Sequence, residues 1–433
     1  MAEPLPLDEI SEEDREFLQT TLDCDGNEVF DLNDGLVYVP LAFARQNFEI
    51  ARKTTIQVES RFTGDLRQEQ LSVYSYVVDK LKTDGFSTVS ARPGFGKTIT
   101  SIAIACTLGM KTLIVVNKIV LIDQWCDSIK KFAPSVITSV IKPDMASLDQ
   151  NATFYIVNAI NIVKKPQSFW STIQLLVVDE LHQIITKKLV VGLLRIVPIA
   201  ILGLSATPYR HDSYNKAVEW FFGKNIIGNT LNQPHTFRVV RTGFTPIDIQ
   251  YTPQGLNWGK ILEEQAGNES RNECIVQECI SEAKTRTVLV LVKRVAHAEL
   301  LVEMIRSRDE TIRVSTLVRS ERTFDKNCKI LIGTTSKIGV GFDHAPINCL
   351  VVAADVKNYF VQFLGRCMRN PDSIPTVVDF DDDFSILKKH LLARIKEYKK
   401  HGGTPIDDCV VTRAPPSCQP KLDRWFKKKS EAR

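Results

Sequence analysis

No stretch of the chain reaches the roughly 18 uninterrupted apolar residues that a membrane-spanning helix needs. A membrane partner is therefore not expected. The ten cysteines include no C-x-x-C pair, and the two closest, Cys274 and Cys279, are not spaced as zinc ribbons require. The thiols read as reduced, packed side chains of an intracellular protein. The opening stretch, Met1 to Ile10, is acidic and proline-bearing, so it does not read as a secretory signal. A strong net charge is also missing. The balance is 55 Lys+Arg against 51 Asp+Glu, net +4, so charge alone does not announce nucleic acid.

What is present is ordinary globular composition, 44% hydrophobic and 24% charged. A chain of 433 residues is too long for one compact core and predicts two or three domains. The charge is unevenly placed. Glu3 to Asp34 holds a dozen acidic residues and one arginine, Arg15. The other end closes on Lys421, Arg424, Lys427, Lys428, Lys429 and Arg433. That asymmetry suggests nucleic-acid contact at the basic end, with a solvated tail as the alternative.

Residues 1–60 are weakly patterned and read as an acidic extension, with Val37 to Phe43 a strand or docking segment. Beyond Arg67, Val73, Val77, Val78 and Leu81 share one helix face. Continuous β-rich runs follow at 111–116, 153–157, 173–178 and 199–204. The rhythm fades near 209–285. It resumes at 287–292, 312–317, 329–333, 350–353 and 376–380, with helical patterns at 296–305 and 384–398. Strands apolar on both faces and separated by helices predict parallel sheets covered on both sides. The expected architecture is α/β: a first lobe at 61–230, a linker at 231–270, a second lobe at 271–400 and a basic tail at 401–433.

The most specific segment is Ser90-Ala91-Arg92-Pro93-Gly94-Phe95-Gly96-Lys97-Thr98. It joins a strand-like stretch to a helical one. A phosphate chain needs several backbone N–H groups turned inward, and Gly94 and Gly96 permit that close approach. The helix N-terminus adds its positive end. Lys97 is placed to reach the β/γ-phosphates of ATP, and the Thr98 hydroxyl to ligate Mg²⁺. Ala91 departs from the G-x-x-x-x-G-K-[ST] pattern, which asks for glycine there.

Leu175 to Val178 lead into Asp179 and Glu180, then Leu181 and His182. Two carboxylates at the end of a buried strand are expensive unless something uses them. Asp179 would hold Mg²⁺, and Glu180 would orient and deprotonate the attacking water. Ser205-Ala206-Thr207-Pro208-Tyr209-Arg210 follows the next strand, and its hydroxyls can bridge the carboxylate site by hydrogen bonds. In the second lobe, Gln362, Arg366 and Arg369 fall at helical spacing and would share one face.

These segments, taken in order, resemble the motifs of superfamily 2 helicases over roughly residues 62–395. Alanine at 91 is the usual form there, and Asp179 to His182 is similar to the Asp-Glu-x-His box of its DNA members. The resemblance implies two tandem RecA-like P-loop lobes. It implies that Gln70, with Arg67 beside it, reads adenine, Gln68 being the competing choice. It implies that His182, Ser205 and Thr207 couple the ATP site to motion, that Gln362, Arg366 and Arg369 act on the γ-phosphate, and that Asp343 touches the ribose.

Asn117 and Lys118, with Gln124 and Trp125, resemble motif Ia, and Asn158 motif Ib. Lys293, with Arg294 and His297, resembles motif IV. Thr334 and Thr335 open a segment similar to motif V, in which Val340 replaces the usual glutamate. These residues would line a strand groove, a purely structural role being the alternative for each. The spacing looks closest to the XPB-like branch, which includes transcript-release helicases of large DNA viruses. The implied activity is ATP-driven 3′ to 5′ movement along single-stranded DNA, with single-stranded or duplex DNA as the partner; an RNA helicase, or a scaffold or translocase that does not unwind, is the alternative. Transcription or replication proteins are the implied partners. A monomer suffices, in the nucleus, or in cytoplasm or virion for a viral protein.

Overall fold

The computed structural model describes all residues except 52, 93, 211, 230–232, 254, 320, 322, 339–341, 343, 357–359, 369–372 and 413–433. The chain divides into two compact units, Met1–Thr230 and Leu231–Arg433.

The first unit is built on a seven-stranded sheet. From edge to edge its strands are Ile226–Asn229, Phe86–Ala91, Ala200–Ser205, Leu175–Asp179, Thr112–Val116, Phe154–Asn158 and Thr138–Ile141. Every neighbouring pair is parallel. The strands Leu175–Asp179, Thr112–Val116 and Phe154–Asn158 are buried along their whole length. This is why their sequences read as unbroken apolar runs and not as alternation. Helices Gln68–Thr83, Lys97–Leu108 and Ile119–Phe132 are among those that cover the sheet. Parallel strands point one way, so Ala91, Asn117, Asn158, Asp179 and Ser205 come to lie along one edge of the sheet.

The weakly patterned residues 1–60 hold more structure than an extension. Ala2–Pro6, Leu36–Pro40 and Asp31–Asn33 pair as an antiparallel sheet, and Leu36–Pro40 runs straight into the helix Leu41–Asn47. That helix packs on Asn215–Phe222 of the same unit. The acidic helix Glu12–Thr21 is capped by Ser11, whose Oγ accepts from Asp14 N at 3.0 Å. Glu3 is buried and held by Arg45 at 3.1 Å and Lys53 at 3.2 Å.

The second unit carries its own seven-stranded parallel sheet. The order is Val314–Leu317, Ile330–Thr334, Val288–Val292, Cys349–Val351, Thr376–Asp381, His235–Arg241 and Gly403–Thr412. Two expectations are corrected here. The stretch 231–270 is not a linker. It supplies the strand His235–Arg241, paired on both sides, and the helix Trp258–Gly267. The stretch from 401 is not only a tail, because Gly403–Thr412 forms the edge strand beside it. The basic residues Lys421 to Arg433 lie outside the described residues.

A buried ionic cluster ties the last helix, Ser385–Lys400, to the second sheet. Asp379 accepts from Arg394 Nε at 2.7 Å, Arg394 Nη2 at 2.9 Å and the Tyr398 hydroxyl at 2.6 Å. Arg394 Nη1 reaches Asp355 at 3.3 Å, and His390 Nδ1 lies 2.9 Å from the same carboxylate. Charges taken out of water are tolerable when each finds such partners.

Candidate active site

The phosphate loop leaves the strand Phe86–Ala91 and enters the helix Lys97–Leu108 through Gly96. Gly94 has φ +82° and Gly96 has φ +92°, a region that side-chain-bearing residues avoid. A Cβ on Gly96 would also meet Gln70 Nε2 at 2.3 Å, so the loop is closed against the preceding helix. Pro93 lies outside the described residues. Phe95 is fully buried and anchors the loop. Lys97 Nζ donates to Ala91 O at 2.7 Å and lies close enough to Asp179 for its charge to act on that carboxyl.

Gln70 and Arg67 both attach to this loop. Gln70 is buried, its Oε1 accepts from Arg67 N at 2.7 Å, and its Nε2 donates to Phe95 O at 2.7 Å. Arg67 Nη2 donates to Gly94 O at 3.1 Å and also to Phe95 O. Gln68, the competing residue, is exposed in the same first turn. Glu69 bridges Arg67 at 2.9 Å and Arg92 at 3.2 Å.

Asp179 ends its strand two strand positions from the loop. Burial raises its pKa, against a hydrogen bond from Trp125 and the charge of Lys97. The Trp125 indole Nε1 donates to Asp179 Oδ2 at 3.0 Å. Hard oxygen donors, the Thr98 hydroxyl and the Asp179 carboxylate, suit Mg²⁺ bound together with nucleotide phosphates. The closed glycine cradle and Lys97 suit the phosphates themselves.

Glu180 has φ +52° and ψ +51°. It is one of four non-glycine residues with positive φ among the described residues, and the only one at a predicted site. Its Oε2 lies 3.6 Å from His182 Nδ1. That imidazole is fully buried, and its pKa is lowered to about 3 by burial and then by the charges of Arg210 and Lys97. It is therefore neutral at ordinary pH. Its Nδ1 lies 2.7 Å from Ser205 Oγ, which accepts from Thr207 N at 2.9 Å. Thr207 Oγ1 is buried without a hydrogen bond among the described residues.

Asn158 accepts from Ile160 N at 3.2 Å and so caps a short helix. Asn117 donates to Gln183, and Lys118 precedes the helix Ile119–Phe132. Three contacts at this site have no counterpart in the sequence reading: Trp125, expected with motif Ia along a strand groove, bonds Asp179; Arg210, expected only as the end of the Ser205 segment, donates to His182 O; and Gln183, given no role, lies between Asn117 and His182. Helical spacing places Trp125 on the inner face of its helix. Nothing in spacing says which carboxylate that face meets.

In the second unit the predicted helix over 362–369 is shorter than expected. It runs Phe360–Leu364, so Gln362 lies in it and Arg366 lies in the turn that follows. The chain tightens there: Arg366 N bonds Phe363 O at 3.0 Å and Cys367 N bonds Leu364 O at 3.3 Å. Gln362 Nε2 is buried without a hydrogen bond among the described residues. Arg366 Nη1 donates to Phe342 O. Arg369 and Asp343 lie outside the described residues. Thr334 is buried with Oγ1 3.2 Å from Ser336 Oγ, and Thr335 opens the short helix Thr335–Ile338. Lys293 is exposed just past the strand Val288–Val292. His297 is buried against Asn272 Oδ1 at 2.9 Å, a packing role.

One prediction arises from Trp125. Trp125→Phe keeps the packing and removes the only donor that the indole offers Asp179. Outer-shell partners of metal ligands typically carry about 10–100-fold in affinity, and Mn²⁺ binding with ADP is expected to weaken on that scale. The free Mn²⁺ signal in electron paramagnetic resonance reads it. Unchanged affinity would show that the bond only packs the helix.

Residues 63–210 match the family described as "Type III restriction enzyme, res subunit". The chain is 38% identical over 393 residues to "Putative helicase 161L" of Invertebrate iridescent virus 6, covering 84% of this chain and 88% of that protein. It is 32% identical over 358 residues to "Putative helicase 055L" of Frog virus 3, covering 79% and 80%. A more distant relative is "Putative ATP-dependent RNA helicase L396" of Acanthamoeba polyphaga mimivirus, 23% identical over 364 residues and covering 78% and 68%. The fold is similar to that of S. cerevisiae Dbp5 bound to RNA and ADP BeF3, with TM-score 0.52, 14% identity and coverage of 84% and 97%. The two lobes are thus tandem RecA-like domains, and the chain belongs to the superfamily 2 helicases, in the family of these viral helicases.

Proposed function

We propose that the protein is an ATP-driven motor on single-stranded DNA, whose hydrolysis is stimulated by the strand it holds. The observation that supports this most is the meeting of three things on one sheet edge: the phosphate loop, the Asp179-Glu180 pair, and the ends of neighbouring strands carrying Asn117 and Ser205. Ligands of open α/β sheets bind at that carboxyl edge.

In this reading Gly94, Gly96 and Lys97 hold the β/γ-phosphates, while Gln70 and Arg67 fix the adenine end and Asp343 the ribose. Mg²⁺, held by Thr98 and Asp179, neutralises charge on the phosphates when bound. Glu180 orients a water and accepts its proton as the γ-phosphoryl group is transferred. Arg366, with Arg369 and Gln362, offers positive charge and hydrogen bonds to that group in the transition state. Positioning and charge are most of what such a reaction asks of a protein. Asn117, Lys118, Asn158, Lys293, Thr334 and Thr335 contact the strand.

The Asp-Glu-x-His box and the restriction-type family match favour DNA, with 3′ to 5′ movement and a place in viral transcription or DNA metabolism, as in the XPB-like branch. The mimivirus relative's name favours RNA as the second reading. Steady-state ATP hydrolysis decides between them, measured with no nucleic acid, single-stranded DNA, duplex DNA and single-stranded RNA. Stimulation by DNA with little by RNA is expected. Stimulation mainly by RNA would replace the substrate and leave the ATP site as assigned.

A further inference from the structure

A row of side-chain hydrogen bonds links the predicted strand-contact edge to the carboxylate site. Asn117 Nδ2 donates to Gln183 Oε1. Gln183 Nε2 lies 3.2 Å from His182 Nε2, and His182 Nδ1 lies 2.7 Å from Ser205 Oγ. An amide NH₂ can only donate, so His182 Nε2 is the acceptor. The neutral ring has one remaining proton, which therefore sits on Nδ1. There it faces Ser205 Oγ, on the side from which Glu180 Oε2 approaches to 3.6 Å. The tautomer beside Glu180 is thus set by the way the Gln183 amide points, and that amide is held by Asn117.

The far end of the row is unfinished. Asn117 Oδ1 is buried and makes no hydrogen bond among the described residues. The residues after it open outward, with Ile119 71% exposed and Val120 47% exposed. If Asn117 turns to satisfy a strand, its bond to Gln183 is released. The Gln183 amide can then reverse and present Oε1 to the ring. His182 then carries its proton on Nε2, and Nδ1 accepts from the Ser205 hydroxyl. The group beside Glu180 changes from donor to acceptor. These are two discrete arrangements of one network, which is what a coupling element requires.

We propose that Gln183 is a positioning residue that reports strand contact at Asn117 to the imidazole beside Glu180, by setting which ring nitrogen carries the proton. The proposal rests on the reading that a nucleic-acid strand stimulates hydrolysis. Its test is Gln183→Met in the full chain, close in size and without hydrogen bonds. Turnover of ATP is measured with and without single-stranded DNA and RNA, and strand affinity by fluorescence anisotropy. Unstimulated turnover and strand affinity are expected to stay within about twofold, while the stimulation factor drops about 5–30-fold, the overlap of the usual ranges for coupling between two sites and for its modulation by one residue. Gln183→Glu, which still accepts from Asn117 but cannot donate to His182, is expected to lose stimulation similarly, and it serves if the methionine variant does not fold. Retained stimulation in a folded variant overturns the relay. So does an equal fall in unstimulated turnover, which would make Gln183 part of the site's framework. A parent protein that no nucleic acid stimulates would instead overturn the reading beneath it.

Discussion

Glu180→Gln is expected to lower turnover about 10²–10⁴-fold, the usual worth of a general base, with nucleotide affinity kept within a few-fold. The backbone gives the reason to single out this carboxylate. Glu180 follows Asp179 directly and holds φ +52°, a left-handed conformation. For a side-chain-bearing residue that costs about 1–2 kcal/mol. The fold accepts this cost where the strand ends at Asp179 and the short helix Leu181–Ile184 begins. Two adjacent carboxylates on a regular strand would point to opposite faces. The left-handed turn instead brings Glu180 beside His182 while Asp179 faces Trp125 and Lys97. Glutamine preserves the shape and most hydrogen bonds and removes only the ability to take a proton. Steady-state hydrolysis together with binding of a fluorescent nucleotide separates the two effects. Glu180→Gly supplies the control: it relieves the backbone, so its melting temperature is expected near the parent's, yet it is expected to be as inactive as the glutamine variant. A Glu180→Gln protein with parental turnover would remove the residue from the chemistry.

The sequence made the centre of each sheet legible and its edges illegible, for one physical reason. Interior parallel strands such as Leu175–Asp179 and Phe154–Asn158 are covered on both faces and must be apolar throughout. The edge strand Thr138–Ile141 is buried only at its last residue. Gly403–Thr412 is a second edge strand, and Gly403, Pro405 and Asp407 within it read as loop. His235–Arg241 is the instructive failure. It lies inside the sheet, but buried and half-buried positions alternate along it, and Arg238 pairs with Glu278 and with Glu282 at 2.7 Å. A paired arginine in a strand looks in one dimension like a break between domains.

The candidate site divides in a similar way. The phosphate loop, Asp179-Glu180 and Ser205-Thr207 could be located because each follows a buried strand, and the carboxyl ends of parallel strands share an edge. What could not be read was contact between side chains from different elements. Trp125 lies 54 residues before the carboxylate it bonds, and Gln183 lies 66 residues after Asn117. Neither partner can be read until the helices are docked. The short helix Phe360–Leu364 shows the opposite limit: spacing of i, i+4 and i+7 is compatible with a helix without requiring one.

Arg366→Ala is expected to reduce kcat about 10³–10⁵-fold, the range associated with an arginine acting on a transferring phosphoryl group, and to change ATP affinity far less. Charge that develops on the γ-phosphoryl oxygens during transfer is met by a guanidinium only in the transition state, so its loss falls on kcat and not on binding. Arg366 lies beyond its helix. The helix stops at Leu364, the turn carries Arg366 onward, and its Nη1 is steadied by the carbonyl of Phe342. Arg366→Lys sharpens the test, because lysine keeps the charge but lacks the planar fork that engages two oxygens at once. It is expected to recover part of the rate and leave most of the deficit. Single-turnover hydrolysis beside nucleotide binding would measure both quantities. Loss of affinity at unchanged kcat in Arg366→Ala would assign the arginine to ground-state binding, and the transition-state charge would then have to come from another residue.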